Sequence, residues 1–417
     1  MRRRIFTKKA LGAIAGGLAT ILSSCKNDNQ QTATPAKTDP KPEPKQVKAS
    51  ASDKQTKASA KKPSKKPLPK LGTLPADKAE EQIKVIQTKR GYYNGHLVSS
   101  KSPAKAKGVC TSILFFADVH LVTENLKKIR DFKKTYEKYI DDAVHLGDTV
   151  GAYNKGTFTM WNEFPTAMNV IGNHDVYSNQ KNKSKRYSVK ENWLTDKEKY
   201  NFYFKKYIPT WNAVQPENAE TEGKCYWYKD YNNHLRLIGV DCMRSTNKAQ
   251  LDWFKATLKD AIEKKLNVAI ATHIPPTCGE KIDCAFTSID YTKDLKIPYS
   301  SGKIMSPFVK EVDEFIGNGG SFVSWICGHL HHDMVMYAKS KHKQFVIVLE
   351  CATSWEKWTD ANHVRGTESE TAWDLIGVES ITNVIKIARF GNNFDHQMRH
   401  KGTFCYDFKK HKVITVS

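Results

Sequence analysis

Five short stretches of this 417-residue chain concentrate side chains that bind hard metal ions: Asp118-Val119-His120, Gly147-Asp148, Gly172-Asn173-His174-Asp175, His273, and Gly328-His329-Leu330-His331. Carboxylate, neutral amide and imidazole donors in one set suit Mn, Fe, Zn or Co without choosing among them. Two such cations held together support hydrolysis, because they polarise an oxygen and lower the pKa of a bound water. Asp118 and His120 are two apart, as are His329 and His331. In extended backbone each pair therefore points to one side, and Gly328 allows a tight turn before the second pair. Asp148 carries two carboxylate oxygens and can bridge two cations. A lone histidine such as His273 is by itself more often structural, and its weight comes from its place in the set.

The chain must bring these stretches together, and its apolar runs say how. Runs over 112–116, 143–146, 167–171, 267–271 and 322–327 read as strands, and each leads into one of the five stretches. Apolar spacing predicts helices over 124–140, 250–265 and 307–316. Strands alternating with helices imply an α/β protein with parallel strand pairs and covered sheet faces. Such sheets gather ligands at the carboxyl ends of their strands. Residues 225–229 and 235–240 read as a hairpin around Tyr231-Asn232-Asn233-His234. A short helix over 76–87 and an edge strand over 92–98 precede the alternation, and 345–349, 383–388 and 413–416 make the C-terminal part antiparallel β. Residues 177–222 read as an insertion. It carries Lys181, Lys183, Lys185, Arg186 and Lys190, which would attract a polyanion or simply face solvent. Tyr177, Trp193 and Trp227 would stack a base or sugar, or serve as core. His145 and Asp241 belong to no block and read as structural, and His332 points away from His331.

The pattern Asp-x-His, Gly-Asp, Gly-Asn-His-Asp, lone His, Gly-His-x-His, in this order over 111–350, resembles the calcineurin-like metallophosphoesterases. Gln250-Leu251-Asp252-Trp253-Phe254 is similar to the helix start that precedes the lone-His strand in that superfamily. The resemblance implies a four-layer α/β/β/α sandwich of two mixed sheets flanked by helices. It implies that Asp118, His120 and His331 hold one metal, that Asn173, His273 and His329 hold the other, and that Asp148 bridges them. A bridging hydroxide would attack a phosphate ester substrate, with His174 as the acid and Asp175 orienting it. One departure concerns the tyrosine that purple acid phosphatases place three residues after the Gly-Asp carboxylate. Here that position is Gly151, with Tyr153 two residues further on, which argues against a ferric tyrosinate site. A nuclease-type phosphodiesterase and a non-catalytic surface binding protein on the same fold are the alternatives.

The formal charge of +22 is mostly N-terminal. Residues 1–25 carry five cations and no acids, and 26–70 carry twelve Lys against four acids. The high charge is thus poor evidence that the rest of the chain binds nucleic acid. The apolar run from Ala10 to Leu22 follows the basic start. As a helix it would span roughly 20 Å, short of the ~30 Å hydrocarbon core, so it reads as a signal region. Leu22-Ser23-Ser24-Cys25 resembles a bacterial lipobox, which implies export and membrane attachment through a lipid on Cys25. Arg3-Arg4-Ile5-Phe6-Thr7-Lys8 also resembles a twin-arginine signal. Residues 26–70, rich in Lys and Pro, read as a disordered tether. The expected division is a signal over 1–25, the tether over 26–70, an extension over 71–110, the catalytic domain over 111–350 and a β-rich part over 351–417. No Cys pair has metal-ribbon spacing, Cys278 and Cys284 are the best disulfide candidates, and Cys242 and Cys327 read as buried apolar residues.

Overall fold

The apolar runs form strands in two mixed seven-stranded sheets. The computed structural model describes residues 83, 91–93, 96–98, 110–120, 123–150, 162–178, 193–231, 234–282, 299–331, 333–349, 352, 371–380, 382–391 and 403–414. The signal-like segment, the Lys/Pro-rich arm, the cations between 181 and 190, Gly151, Tyr153, His332 and Cys284 lie outside them, as does the expected helix over 76–87 apart from a helical, buried Ile83.

Among the described residues, strands β1 (Gly91–Tyr93) and β2 (His96–Val98) pair only with each other. The single edge strand expected over 92–98 is therefore two paired strands, with Tyr93 opposite His96. In the first large sheet, β3 (Cys110–Phe116), β4 (Asp142–His145) and β5 (Met168–Asn169) are parallel neighbours. The helix α1 (Thr123–Thr135) crosses between β3 and β4. The C-terminal strands β13 (Ala372–Glu379), β14 (Val384–Gly391), β15 (Thr403–Asp407) and β16 (Lys412–Ile414) extend this sheet from the other side of β3, all antiparallel.

The second sheet is built around parallel β7 (Leu235–Gly239), β8 (Asn267–Ala271), β10 (Ser321–Cys327) and β12 (Phe345–Val348). Antiparallel β6 (Trp227–Tyr231) borders β7 as the predicted hairpin, while β11 (Met334–Ala338) and β9 (Cys278–Lys281) close the far side. Helices α5 (Lys248–Glu263) and α6 (Tyr299–Gly317) cover its outer face. Between β5 and β6 in sequence, α2 (Asp196–Tyr203), α3 (Ile208–Trp211) and α4 (Ala219–Glu222) are the described helices of the insertion.

The unbroken apolarity of the central strands follows from this layering. On β8, Ala269 and Ala271 face the core between the sheets, whereas Val268 and Ile270 join Phe254, Leu258 and Phe308 under the helices. Alternate side chains point to opposite faces, so a strand buried on both needs an apolar residue at every position. Each fully buried Leu or Phe contributes about 1.5–3 kcal/mol. Among the described residues no helix is long and apolar enough to cross a membrane.

The β13–β14 ribbon carries buried charge at both ends. Lys386 Nζ donates to Glu379 Oε1 at 2.5 Å, and both side chains are essentially inaccessible. Removing one partner of such a pair strands the other charge out of water. Lys386→Met should therefore lower stability by about 3–5 kcal/mol in urea unfolding, and a loss below about 1 kcal/mol would show that the pair is solvated.

Candidate metal centre

Every one of the five sequence stretches sits at the carboxyl end of a parallel strand or in the loop beyond it. Asp118 follows β3, Asp148 follows β4, Asn173 follows β5, His273 follows β8, and His329 and His331 follow β10. The first three come from one sheet and the last three from the other, and they meet where the two sets of strand ends converge.

Within each histidine stretch the geometry differs from simple strand alternation. Asp118, His120, Asp148, His329 and His331 all have positive φ, between 45° and 72°. Non-glycine residues rarely take this left-handed conformation, which is held where surrounding contacts over-determine it. The two-residue spacings thus bring side chains together through tight turns, not through extended backbone. Gly328 does not serve as the left-handed residue either. A Cβ there would lie 2.7 Å from Asp118 Oδ2, and one on Gly172 would lie 2.1 Å from Asp148 Oδ1. Each glycine makes room for one carboxylate.

Two groups of donors result. In the first, Asp118, His120 and His331 bring their ligand atoms within 4.8 Å of one another, and in the second Asp148, His273 and His329 do the same. His120 Nε2 and His331 Nε2 face each other at 3.3 Å, and Asp118 Oδ1 lies 3.2 Å from His331 Nε2. His273 Nδ1 donates to the Leu146 carbonyl at 2.8 Å, which leaves Nε2 as the lone-pair nitrogen of the neutral ring. That Nε2 faces Asn173 Oδ1 at 2.9 Å and Asp148 Oδ2 at 3.2 Å. Asp148 Oδ2 is buried and accepts no aligned hydrogen bond. Lone pairs aimed at one another across about 3 Å fit a cation between them, so the residues present suit the metals that the donor types imply.

The electrostatics agree. Burial would raise the carboxyl of Asp118, but the adjacent His331 holds it well below the usual range. Asp148 is likewise held low, against its burial, by His273, His174 and His120. Burial lowers His273, yet Asp148 more than offsets it and raises the imidazole to about 9. His329, by contrast, is pushed down to about 4 by burial and by His273. The two buried carboxylates therefore demand positive charge at this spot.

Asp175 does not orient His174. Its Oδ2 accepts from the backbone N–H groups of Asp148 and Gly172, each at 2.9 Å, and its Oδ1 accepts from Thr149 at 2.9 Å and Val150 at 3.4 Å. It is fully buried, and burial together with the Asp148 charge raises its carboxyl to about 7. Its work is to lock the Asp148 loop onto the Asn173 loop. His174 stands at the rim instead, with its ring 39% exposed, Nε2 4.0 Å from Asp148 Oδ2, and its centroid 5.1 Å from that of His120.

Other candidates resolve into structural roles. Trp227 is fully buried and donates to the Asn169 carbonyl at 2.8 Å, so it does not offer a stacking surface. Tyr177 is half-buried beside His174, 5.6 Å between ring centroids, and Trp193 lies behind it at 6.3 Å. His145 is core, bonded to Asn169 Oδ1 at 2.8 Å. Asp241 accepts from Lys199 Nζ at 2.6 Å and caps the turn after β7. Gln250, from the start of α5, bonds the backbone of Asp241 from both sides. Cys242 and Cys327 are buried, and burial raises their thiols.

A model of the calcineurin-like phosphoesterase family matches residues 111–333, more than half of the chain. The chain belongs to this family. Family membership and the two donor groups together support metal-dependent hydrolysis of a phosphoester. No curated protein matches this chain. Among solved structures it is similar to a dimetal phosphatase from Danio rerio at 12% identity, over 68% of this chain and 96% of that one, with a TM-score of 0.43. It is also similar to GAP50 of Plasmodium (11% identity, 74% and 87% coverage, TM-score 0.38) and to a Thermus thermophilus protein (8%, 68% and 99%, 0.37).

The role of Asp175 has a measurable consequence. In Asp175→Asn an amide N–H2 replaces one accepting oxygen and confronts backbone donors. This should cost about 1–3 kcal/mol in urea unfolding. Wild-type stability in that variant would contradict the role assigned to Asp175.

Proposed function

We propose that the protein hydrolyses a phosphate ester using two cations. Asp118, His120 and His331 would hold one, Asn173, His273 and His329 the other, and Asp148 would lie between them. The observation that carries this reading is the meeting of two donor groups from two sheets around the buried carboxylate of Asp148. A pair of bound cations supplies Lewis-acid polarisation of a phosphoryl oxygen and a water made nucleophilic near neutral pH.

The chain's own residues do the rest. Asp148 is fixed by the His174 backbone N–H, which donates to Oδ1 at 2.8 Å and leaves Oδ2 facing the second group. Asn173 offers a neutral oxygen beside His273. Among the described residues His174 is the one imidazole at this centre that opens substantially to solvent, so it is placed to meet a leaving group and to donate a proton to its oxygen. It is steadied by the rings of His120 and Tyr177, not by Asp175.

The same reading extends to location. The basic start, the apolar run and Leu22-Ser23-Ser24-Cys25 support export and attachment through a lipid on Cys25, with 26–70 as the tether and the catalytic domain over 111–350. The chain carrying Cys25→Ser should then leave the membrane fraction for the soluble one. Retention of that variant in the membrane would remove the anchor from the account.

His174→Ala tests the mechanism. For an alkyl phosphate ester, whose leaving oxygen needs a proton, kcat should fall by about 10²–10⁴. For an aryl ester with an acidic leaving group the loss should be much smaller, and metal content should be unchanged. Equal, full activity on both esters would overturn the acid role.

A further inference from the structure

The loop bearing His329 and His331 is a strained connection. Both residues are left-handed, and such a conformation lasts only where contacts on each side enforce it. On entry, Gly328 N–H donates to the His273 carbonyl at 3.1 Å, and His329 N–H donates to Asp118 Oδ2 at 3.0 Å. On exit the chain reaches Asp333, a fully buried carboxylate directly before β11. Its partner comes from the other sheet. Arg389 on β14 donates from Nη2 to Asp333 Oδ1. The same guanidinium grips Asp374 on β13 in a two-point fork, Nε to Oδ1 at 3.0 Å and Nη2 to Oδ2 at 2.7 Å. Asp374 is in register with Phe115 of β3, three residues before Asp118. One buried arginine thus ties the end of the Asp118 strand to the end of the histidine loop.

We propose that Arg389, acting through Asp333, is a positioning residue that sets His331 against Asp118 and His120. The proposal rests on the reading of those three residues as metal donors. A planar guanidinium suits the task because its fork fixes direction as well as distance. Arg389 lies beyond residue 333, where the match to the family model ends, so the C-terminal strands help to build the centre and do more than widen the sheet.

The β13–β14 ribbon supplies its own control. Lys386 and Glu379 form a second buried pair at the opposite end, where Glu379 is in register with Cys110 at the start of β3. Both Arg389→Met and Lys386→Met remove a cation from a buried pair on the same ribbon, but only the first touches the histidine loop. The experiment is Mn(II) titration calorimetry on the full-length chain, together with thermal unfolding of the metal-free protein. Both variants should lower the metal-free melting temperature. Only Arg389→Met should weaken Mn(II) binding, by about 10–100-fold, as loss of a partner behind a ligand does. Asp333→Asn keeps the shape of the side chain, so it stands in should Arg389→Met not fold, and it should show the same direction of loss. Arg389→Lys should recover part of the affinity. Wild-type affinity in folded Arg389→Met or Asp333→Asn, or an equal loss in Lys386→Met, would overturn the proposal while leaving the metal centre intact. Absence of Mn(II) binding by the wild-type chain would instead overturn the reading of the centre, and the proposal with it.

Discussion

Two carboxylates, Asp118 and Asp148, are buried at the ends of adjacent strands, and the surrounding chain is arranged to keep them ionised. A buried, unpaired carboxylate costs far more than a domain can tolerate, so it must be hydrogen-bonded and faced with positive charge. Backbone N–H groups of His329 and His174 supply the first requirement. The imidazoles of His273 and His331, which the carboxylates raise, and, on our reading, two cations supply the second. The left-handed turns, the glycines that clear space and the parallel strand ends are consequences of bringing these groups so close.

The centre belongs to neither sheet alone. The first contributes Asp118, His120, Asp148 and Asn173, and the second contributes His273, His329 and His331. Cross-links hold the halves in register. Among them are the His273 bond to Leu146, the Ala352 N–H bond to the Ala117 carbonyl at 2.8 Å, and the ion cluster at Arg389. Asp175 plays the matching part within one sheet, where a single carboxylate collects four backbone N–H groups from two loops. On our reading, substrate would approach from the side on which His174 is exposed, beside Tyr177 and with Trp193 behind it.

Much of this was legible in the sequence because ligands at strand ends leave short, ordered motifs after apolar runs, and those motifs named all six members of the two donor groups. What misled was the assumption of regular backbone. Spacing by two suggested strand alternation at Asp118 and His120, whereas both residues are left-handed. The sequence neighbour of His174 looked like its orienter, but Asp175 turns inward, because four buried N–H groups outcompete one rim imidazole for it. Strand β13 was missed because Asp374, Gly377 and Glu379 interrupt its apolar pattern. Two of those breaks are buried acids paired with Arg389 and Lys386, a pairing visible only once the strands are side by side. The irregular aromatics Tyr203, Phe204, Tyr207 and Trp211 are core around short helices of the insertion, and no single period describes them.

The central claim is a pair of cations sharing one buried carboxylate, and electron paramagnetic resonance of the chain reconstituted with Mn(II) tests it most directly. The account predicts two equivalents bound per chain and the spectrum of a magnetically coupled Mn(II) pair, since a shared carboxylate holds such ions about 3.5–4 Å apart. In Asp148→Ala the coupled signal should disappear. A single equivalent per chain, or two that give only the spectrum of isolated Mn(II), would contradict it.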